Sequence, residues 1–456
     1  MLGIHGIGRD GADYYLSDRA PELPGGGGPG HWAGRAAEGL GLSGPVEAAA
    51  FCGMLEGRHP RRGTVLGSGR TGVAAFDLTF SAPKSASVLF GLGGPEVAQA
   101  IVDAHEEAVA GSIAYLERHA LTATRRSGAA RTVVPTSGAV AAVFTHGVSR
   151  NGDPHLHSHV VLANLVHGAD GRWSATDRRG IHAHRAAAAA VYEAGLRAGM
   201  TASLGVRWAG GPGRSAEVVG IGPELLGAFS SRSADIRRQR DEWGVRSARG
   251  ARTAWAATRP PKAPGADFRD LAVGWQREAL AVAAPLELPR TVPRGRTAVL
   301  DEHRFAGIVS LPAHGGAHRR DVVAAFGTAA VDGAAAGVSE RFVSQWVPSG
   351  PVGVAEPLCS RRSVLPANHQ LRALGPRPID PAAHDVWRSA ARALDGYRER
   401  WGLQHATEPL GEAPSSRRLG ALPAARLADH LRTARTLQAA RVRLGFRDPM
   451  EMARGR

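Results

Sequence analysis

The stretch Phe144–Val166, FTHGVSRNGDPHLHSHVVLANLV, decides how this chain is read. Its start completes an apolar run, Gly138–His146 (GAVAAVFTH), and its end contains a second, Leu156–Asn164 (LHSHVVLAN), with the turn formers of Ser149–Pro154 between them. Two apolar segments of strand length around such a turn predict a β-hairpin. Side chains at i and i+2 of a strand share a face, so His155, His157 and His159 project one way. His146 lies across the turn, where the hairpin brings it alongside them. Strand geometry therefore offers four candidate imidazoles and does not choose among them.

Three neutral imidazoles leave coordination positions open, as a catalytic metal site requires. A divalent ion there acts as a Lewis acid on a phosphate oxygen. Imidazole suits Zn, Mn, Fe, Ni or Co, whereas Mg normally prefers oxygen ligands; sequence chemistry does not choose the ion, and Mg, Mn or Zn is expected. The competing reading, ordinary surface or core residues in a chain with 19 histidines, leaves their strand spacing unexplained.

Outward from the hairpin, Val73–Leu89 (VAAFDLTFSAPKSASVL) reads as a strand through Phe80, a turn at Ser81–Pro83 and a new element from Lys84 or Ser85. Asp77 sits on that strand, either as a carboxylate that orients a metal-bound histidine or as a base for a nucleophile. Glu96–His119 has helical spacing of apolar residues, Ala186–Leu204 is an Ala-rich helix, and Pro223–Trp243 reads as one basic helix with Arg232, Arg237, Arg238 and Arg240. That helix faces either phosphates or solvent. The run Pro21–Gly30 (PELPGGGGPG) is expected to be a flexible loop.

Pro and Gly become frequent from about Thr258, and a boundary is expected near Leu288–Arg296. It separates a catalytic domain, residues 1–290, from a mostly helical or partly disordered extension, 291–456, with helices expected around Arg319–Ala336, Ala383–Trp401 and Pro423–Leu444. No G-x-x-x-x-G-K-[ST] phosphate loop occurs, so no helicase motor and no use of ATP are expected.

The balance of 56 basic against 41 acidic residues gives a net charge of +15, which calls for a polyanionic partner such as nucleic acid. Lys84, Arg150, Arg237 and Arg238 are candidate DNA contacts. Only Cys52 and Cys359 occur, which excludes a disulfide framework and a cysteine-based zinc site. The sequence has neither a secretory signal nor an apolar run of the roughly 18 residues that span a bilayer. A cytoplasmic location without membrane insertion is expected.

Tyrosine is scarce, with five residues, two of them adjacent at Tyr14 and Tyr15. A phenol of ordinary pKa about 10 needs a base or a nearby positive charge before it attacks phosphorus. The pair is either that nucleophile or part of an N-terminal strand with one ring buried and one exposed.

Four segments resemble the relaxase domain of the MobF (TrwC-like) conjugative relaxases of the HUH endonuclease superfamily. They are GADYYLSD (Gly11–Asp18) with GLGLSGPV (Gly39–Val46), FDLTFSAPKSASVLF (Phe76–Phe90), AHEEAVAGSIAYLERHA (Ala104–Ala120) and the histidine segment itself. The resemblance covers roughly the first 250 residues. It implies an α+β fold, a palm-like central antiparallel sheet with flanking helices and a lid over the DNA. It also implies His146, His157 and His159 as metal ligands, with His155 at a variable position, Asp77 as the orienting carboxylate and Tyr14 or Tyr15 as nucleophile. The implied activity is nicking and rejoining of single-stranded DNA at a transfer origin through a 5′-phosphotyrosine, with accessory DNA-binding and conjugation coupling proteins as partners. Many family members carry two separated tyrosine pairs and a helicase, whereas this chain has one pair and no motor, as in a stand-alone, truncated or degenerate form. The alternatives are a rolling-circle replication initiator, in which the tyrosine usually follows the histidine motif, a cleavage-deficient origin-binding protein, and a water-using phosphodiesterase.

Overall fold

The computed structural model describes residues 2–282 apart from 17–22, 24–29, 68–71, 128–129, 211–214, 246, 259 and 261–266. Beyond them it describes 318–344, 368–375, 378, 380–401, 403, 409–410 and 424–445. The expected boundary at Leu288–Arg296 and all but Leu23 and Gly30 of the expected loop Pro21–Gly30 lie outside these residues.

The strands β1 (Leu2–Ile7), β2 (His31–Ala33), β3 (Ala75–Ser81), β6 (Ala141–Val148) and β7 (Pro154–Ala163) form one sheet in the order β1-β3-β7-β6-β2, while β4 (Thr122–Ser127) and β5 (Ala130–Pro135) pair in a separate one. Every pairing is antiparallel. The architecture is the expected α+β one. The expected hairpin is β6–β7, central in the sheet, and its neighbour β3 carries Asp77. Because the side-chain period is two, each strand supplies one set of residues to each face.

One face carries Ala75, Ala142, Phe144, Val161 and Ala163 and packs against α1 (Ala12–Leu16) and α3 (Ala48–Leu55) through Tyr15, Phe51 and Leu55. Tyr14 and Tyr15 therefore stand on a short helix rather than a strand. One ring is buried and one exposed, as a strand would also have given. The other face is covered by α4 (Lys84–Leu92), α5 (Pro95–His119) and α7 (Arg185–Leu204). Of the short helices, α2 (Arg35–Gly39) follows β2 and α6 (Arg178–Ala183) precedes α7. Close approach of α5 and α7 uses small residues: a Cβ on Gly199 would lie 2.7 Å from that of Ala104. Gly205, at φ +66°, ends α7 in the left-handed conformation open to glycine.

The expected single helix Pro223–Trp243 is two, α8 (Pro223–Ala228) and α9 (Ser231–Glu242). Phe229 turns into the core at the junction, fully buried, and Ser230 bonds back to the Leu226 carbonyl, so the chain changes direction there. Two further helices, α10 (Ala248–Ala257) and α11 (Phe268–Ala281), complete this unit.

A second compact unit holds the later helices. The segment expected as one helix over Arg319–Ala336 stops at α12 (Arg319–Ala329), turns through Gly333 at φ +88° and resumes as α13 (Ala336–Ser344). α14 (Asn368–Leu374), α15 (Pro381–Arg400) and α16 (Ala424–Arg443) share a core of Leu374, Trp387, Leu394 and Leu437. No helix among the described residues is long and apolar enough to cross a membrane.

Candidate metal centre and active site

The register of β6 against β7 sets the site. His146 pairs directly with His157, and His159 lies opposite Phe144, two residues before His146 on the same face. The three rings form a nearly equilateral triangle, with centroids 5.2, 5.3 and 5.5 Å apart. One nitrogen from each lies within 4.8 Å of the others. His155 shares the face and stacks on His157 at 4.7 Å, outside the triangle.

Each of two rings is oriented through its rear nitrogen. The partner of His157 Nδ1 is the His155 carbonyl at 2.9 Å, which only accepts, so His157 carries its proton on Nδ1 and turns the Nε2 lone pair forward. His159 Nδ1 donates likewise to both Asp77 oxygens, at 2.8 and 3.0 Å. Burial, then the charge of His159, lowers the His157 pKa to about 4, so this imidazole is neutral near pH 7, the form that ligates a metal.

Asp77 is a junction. Besides His159, its carboxylate accepts the Tyr15 phenol at 3.0 Å and the Thr79 hydroxyl at 3.3 Å. Tyr15 is only 5% exposed and packs on Phe144 and Phe51. Burial, followed by the charge and hydrogen bond of Asp77, pushes its phenol well above the ordinary tyrosine range. Tyr14 is the opposite case: it is 37% exposed, its ring lies 6.1 Å from that of His159, and its oxygen accepts a hydrogen bond from Arg150 Nη2 at 3.2 Å.

Arg150 stands on the hairpin turn, where Gly152 takes φ +88° and the Ser149 hydroxyl accepts from the backbone of Asn151 and Asp153. Helices fasten this turn from outside. Asp235 and Ser231 of α9 bond Asn151 and Asp153, and the Trp275 indole of α11 donates to the Gly152 carbonyl at 2.7 Å. Lys84 donates to the Pro154 carbonyl at 2.8 Å, with Asp153, Glu217 and Glu278 supporting its charge while burial lowers its pKa. Arg237 is exposed on α9, and Arg238 pairs with Asp235 at 3.2 Å.

Sequence reasoning missed Thr79 and His5. Thr79 was findable, since it shares the face of Asp77 at i+2. His5 stands directly opposite Asp77 only because β1 pairs with β3, a register no local pattern announces.

The same arrangement of elements is found in solved structures. A metal-bound conjugative relaxase TrwC in complex with oriT DNA is 27% identical, with a TM-score of 0.57, covering 63% of this chain and all of that one. TrwC complexed with a 27-mer DNA comprising the recognition hairpin and the cleavage site is 26% identical over the same shares, with a TM-score of 0.54. Two multifunctional conjugation proteins TraI, one from Escherichia coli and one from its strain K12, are 38% and 36% identical over 224 residues, 45% of this chain. The matched part spans 12% of each of those much longer proteins. The TrwC relaxase family model matches residues 7–282, more than half of the chain, and with the sheet and histidine triangle in place the chain belongs to the TrwC relaxase family.

Proposed function

We propose that this chain cuts and rejoins one DNA strand at a transfer origin, with Tyr14 as nucleophile and a divalent metal ion held by His146, His157 and His159. The observation that carries this reading is the division between adjacent tyrosines. Tyr15 is buried and commits its one proton to Asp77, while Tyr14 is 37% exposed, with its ring 6.1 Å from that of His159 and its oxygen beside the Arg150 guanidinium.

The donor set fits a metal: three nitrogens converge, and the rear N–H groups of His157 and His159 are taken up by a carbonyl and a carboxylate. An all-imidazole set suits Zn, Cu, Fe or Ni better than Mg. When bound, the ion supplies Lewis-acid polarisation of the scissile phosphate. Asp77 holds His159 in its ligating tautomer, and Tyr15 holds Asp77. Arg150 places positive charge at the attacking oxygen. In the reaction the Tyr14 oxygen bonds to phosphorus, its proton passes to solvent, the P–O3′ bond breaks, and the leaving oxygen takes up a proton as a free 3′-OH. The phosphodiester is conserved as a 5′-phosphotyrosine, so the step reverses without ATP. The net charge of +15 suits the single-stranded DNA substrate, with accessory and coupling proteins as further partners, in the cytoplasm.

Incubation with single-stranded origin DNA and Mn or Mg, followed by denaturation, tests the reading. A covalent adduct is expected, absent in Tyr14→Phe. Cleavage that persists in the double variant Tyr14→Phe, Tyr15→Phe would mean that water, not tyrosine, is the nucleophile.

A further inference from the structure

On the face of the sheet opposite the triangle, a chain of buried polar groups runs from α7 through α5 into the hairpin. Tyr192 Oη lies 2.8 Å from His105 Nδ1, His105 Nε2 lies 2.7 Å from Ser158 Oγ, and Ser158 Oγ lies 2.8 Å from Thr145 Oγ1. Tyr192, His105 and Ser158 are fully buried, and nothing in the strand-transfer chemistry uses them.

The direction of the chain follows from its ends. Tyr192 has one proton and, among the described residues, one hydrogen-bond partner, His105, so the fully buried phenol donates to Nδ1. His105 then carries its proton on Nε2 and donates to Ser158, which donates to Thr145. In the reverse sense the buried Tyr192 proton would have no acceptor among the described residues, whereas in this sense the chain ends on Thr145, which is half-buried.

The placement matters because Ser158 lies between His157 and His159, and Thr145 precedes His146. Thr145 and Ser158 are themselves a directly opposed pair, next to the His146–His157 pair. A slip of one residue between β6 and β7 would turn the imidazoles away from the site and leave His105 facing an imidazole or an apolar side chain. The register shift already present between His146 and Val148 shows that this end of the hairpin departs from regular pairing.

We propose that His105 is a positioning residue for the metal centre: through Ser158 and Thr145 it fixes the register of β6 on β7 that makes His146, His157 and His159 converge. The proposal rests on the reading of those histidines as metal ligands. His105 acts from behind the sheet and touches neither metal nor DNA. The energetic argument is the asymmetry of buried hydrogen bonds, since a lost partner leaves Ser158 and Tyr192 unsatisfied in an apolar layer and the strands shift to relieve it.

The test compares His105→Leu and Ser158→Ala with Leu196→Ala, a core truncation on α7 outside the polar chain, using Co(II) or Mn(II) titration of the metal-free protein well below its unfolding temperature. Each titration is set beside thermal stability. The polar-chain variants are expected to lose about tenfold or more in metal affinity, while Leu196→Ala loses stability and keeps its affinity within about twofold. Should His105→Leu fail to fold, Ser158→Ala carries the comparison, and nitrogen NMR of labelled histidine in the unaltered protein should show His105 protonated at Nε2. Equal affinity in folded polar-chain variants and unaltered protein, or a proton on Nδ1, overturns the proposal. Absence of metal binding by the unaltered protein instead sinks the metal reading itself.

Discussion

The Tyr15 phenol donates a 3.0 Å hydrogen bond to the Asp77 carboxylate that also orients His159, so the buried member of the tyrosine pair is built into the support of the histidine triangle. Its neighbour Tyr14, one residue earlier on the same short helix, is exposed and accepts a hydrogen bond from Arg150. A helix turns adjacent side chains about 100° apart, which lets two identical residues take separate roles.

Tyr15→Phe should therefore slow nicking without abolishing it. A hydrogen bond to a charged acceptor contributes about 1.5–3 kcal/mol, roughly a tenfold to hundredfold effect on rate if all of it acts in the transition state. Single-turnover nicking of an origin oligonucleotide measures this. An adduct that vanishes in Tyr15→Phe as completely as in Tyr14→Phe would make the division of roles wrong.

Asp77→Asn keeps the shape of the side chain but removes its charge. His159 then loses the partner that fixes its proton on Nδ1, and metal affinity should fall about 10–100-fold. Calorimetric titration with Mn(II) or Zn(II) checks the value, and affinity unchanged in a folded Asp77→Asn variant would remove Asp77 from the support of the site.

Arg150→Ala should show the reverse pattern, with metal affinity retained and nicking reduced by roughly a hundredfold, because the guanidinium bonds Tyr14 rather than the three histidines. Loss of metal binding instead would mean that the hairpin turn had collapsed.

The stability of the protein should depend on pH through His105. Burial lowers its folded pKa to about 3, against an ordinary 6.5. Between these values the unfolded chain binds a proton that the folded one refuses, so the contribution is full above about pH 6.5 and is lost as pH falls towards 3. The groups facing it are Tyr192 and Ser158, both neutral in this range, with the charge of His157 opposing its protonation further. Denaturant unfolding of metal-free protein should weaken from pH 7 to pH 5, and less steeply in His105→Gln. Parallel slopes would assign the pH dependence to other groups.

Much of the sheet and of the histidine triangle was legible in the sequence, because strand periodicity alone puts His157 and His159 on one face and a turn returns His146 beside them. Periodicity did not separate His155 from the others, since the difference is the position along β7 at which the strand leaves its pairing with β6. The break between α8 and α9 was hidden for another reason. α9 buries no residue, so its sequence carries no apolar stripe to mark where it begins. The roles proposed for Tyr14 and Tyr15 were not separable at all, because they depend on β3 bringing Asp77 under one ring and on the hairpin turn bringing Arg150 over the other. Both contacts join residues more than sixty positions apart.

The most direct test of the central claim is the site of the covalent link. After reaction with origin DNA and nuclease trimming, the tryptic peptide DGADYYLSDR (residues 10–19) should carry the nucleotide remnant, and fragmentation should place it on Tyr14. A remnant on Tyr15, or cleaved DNA with neither tyrosine modified at any time in the reaction, would contradict the account.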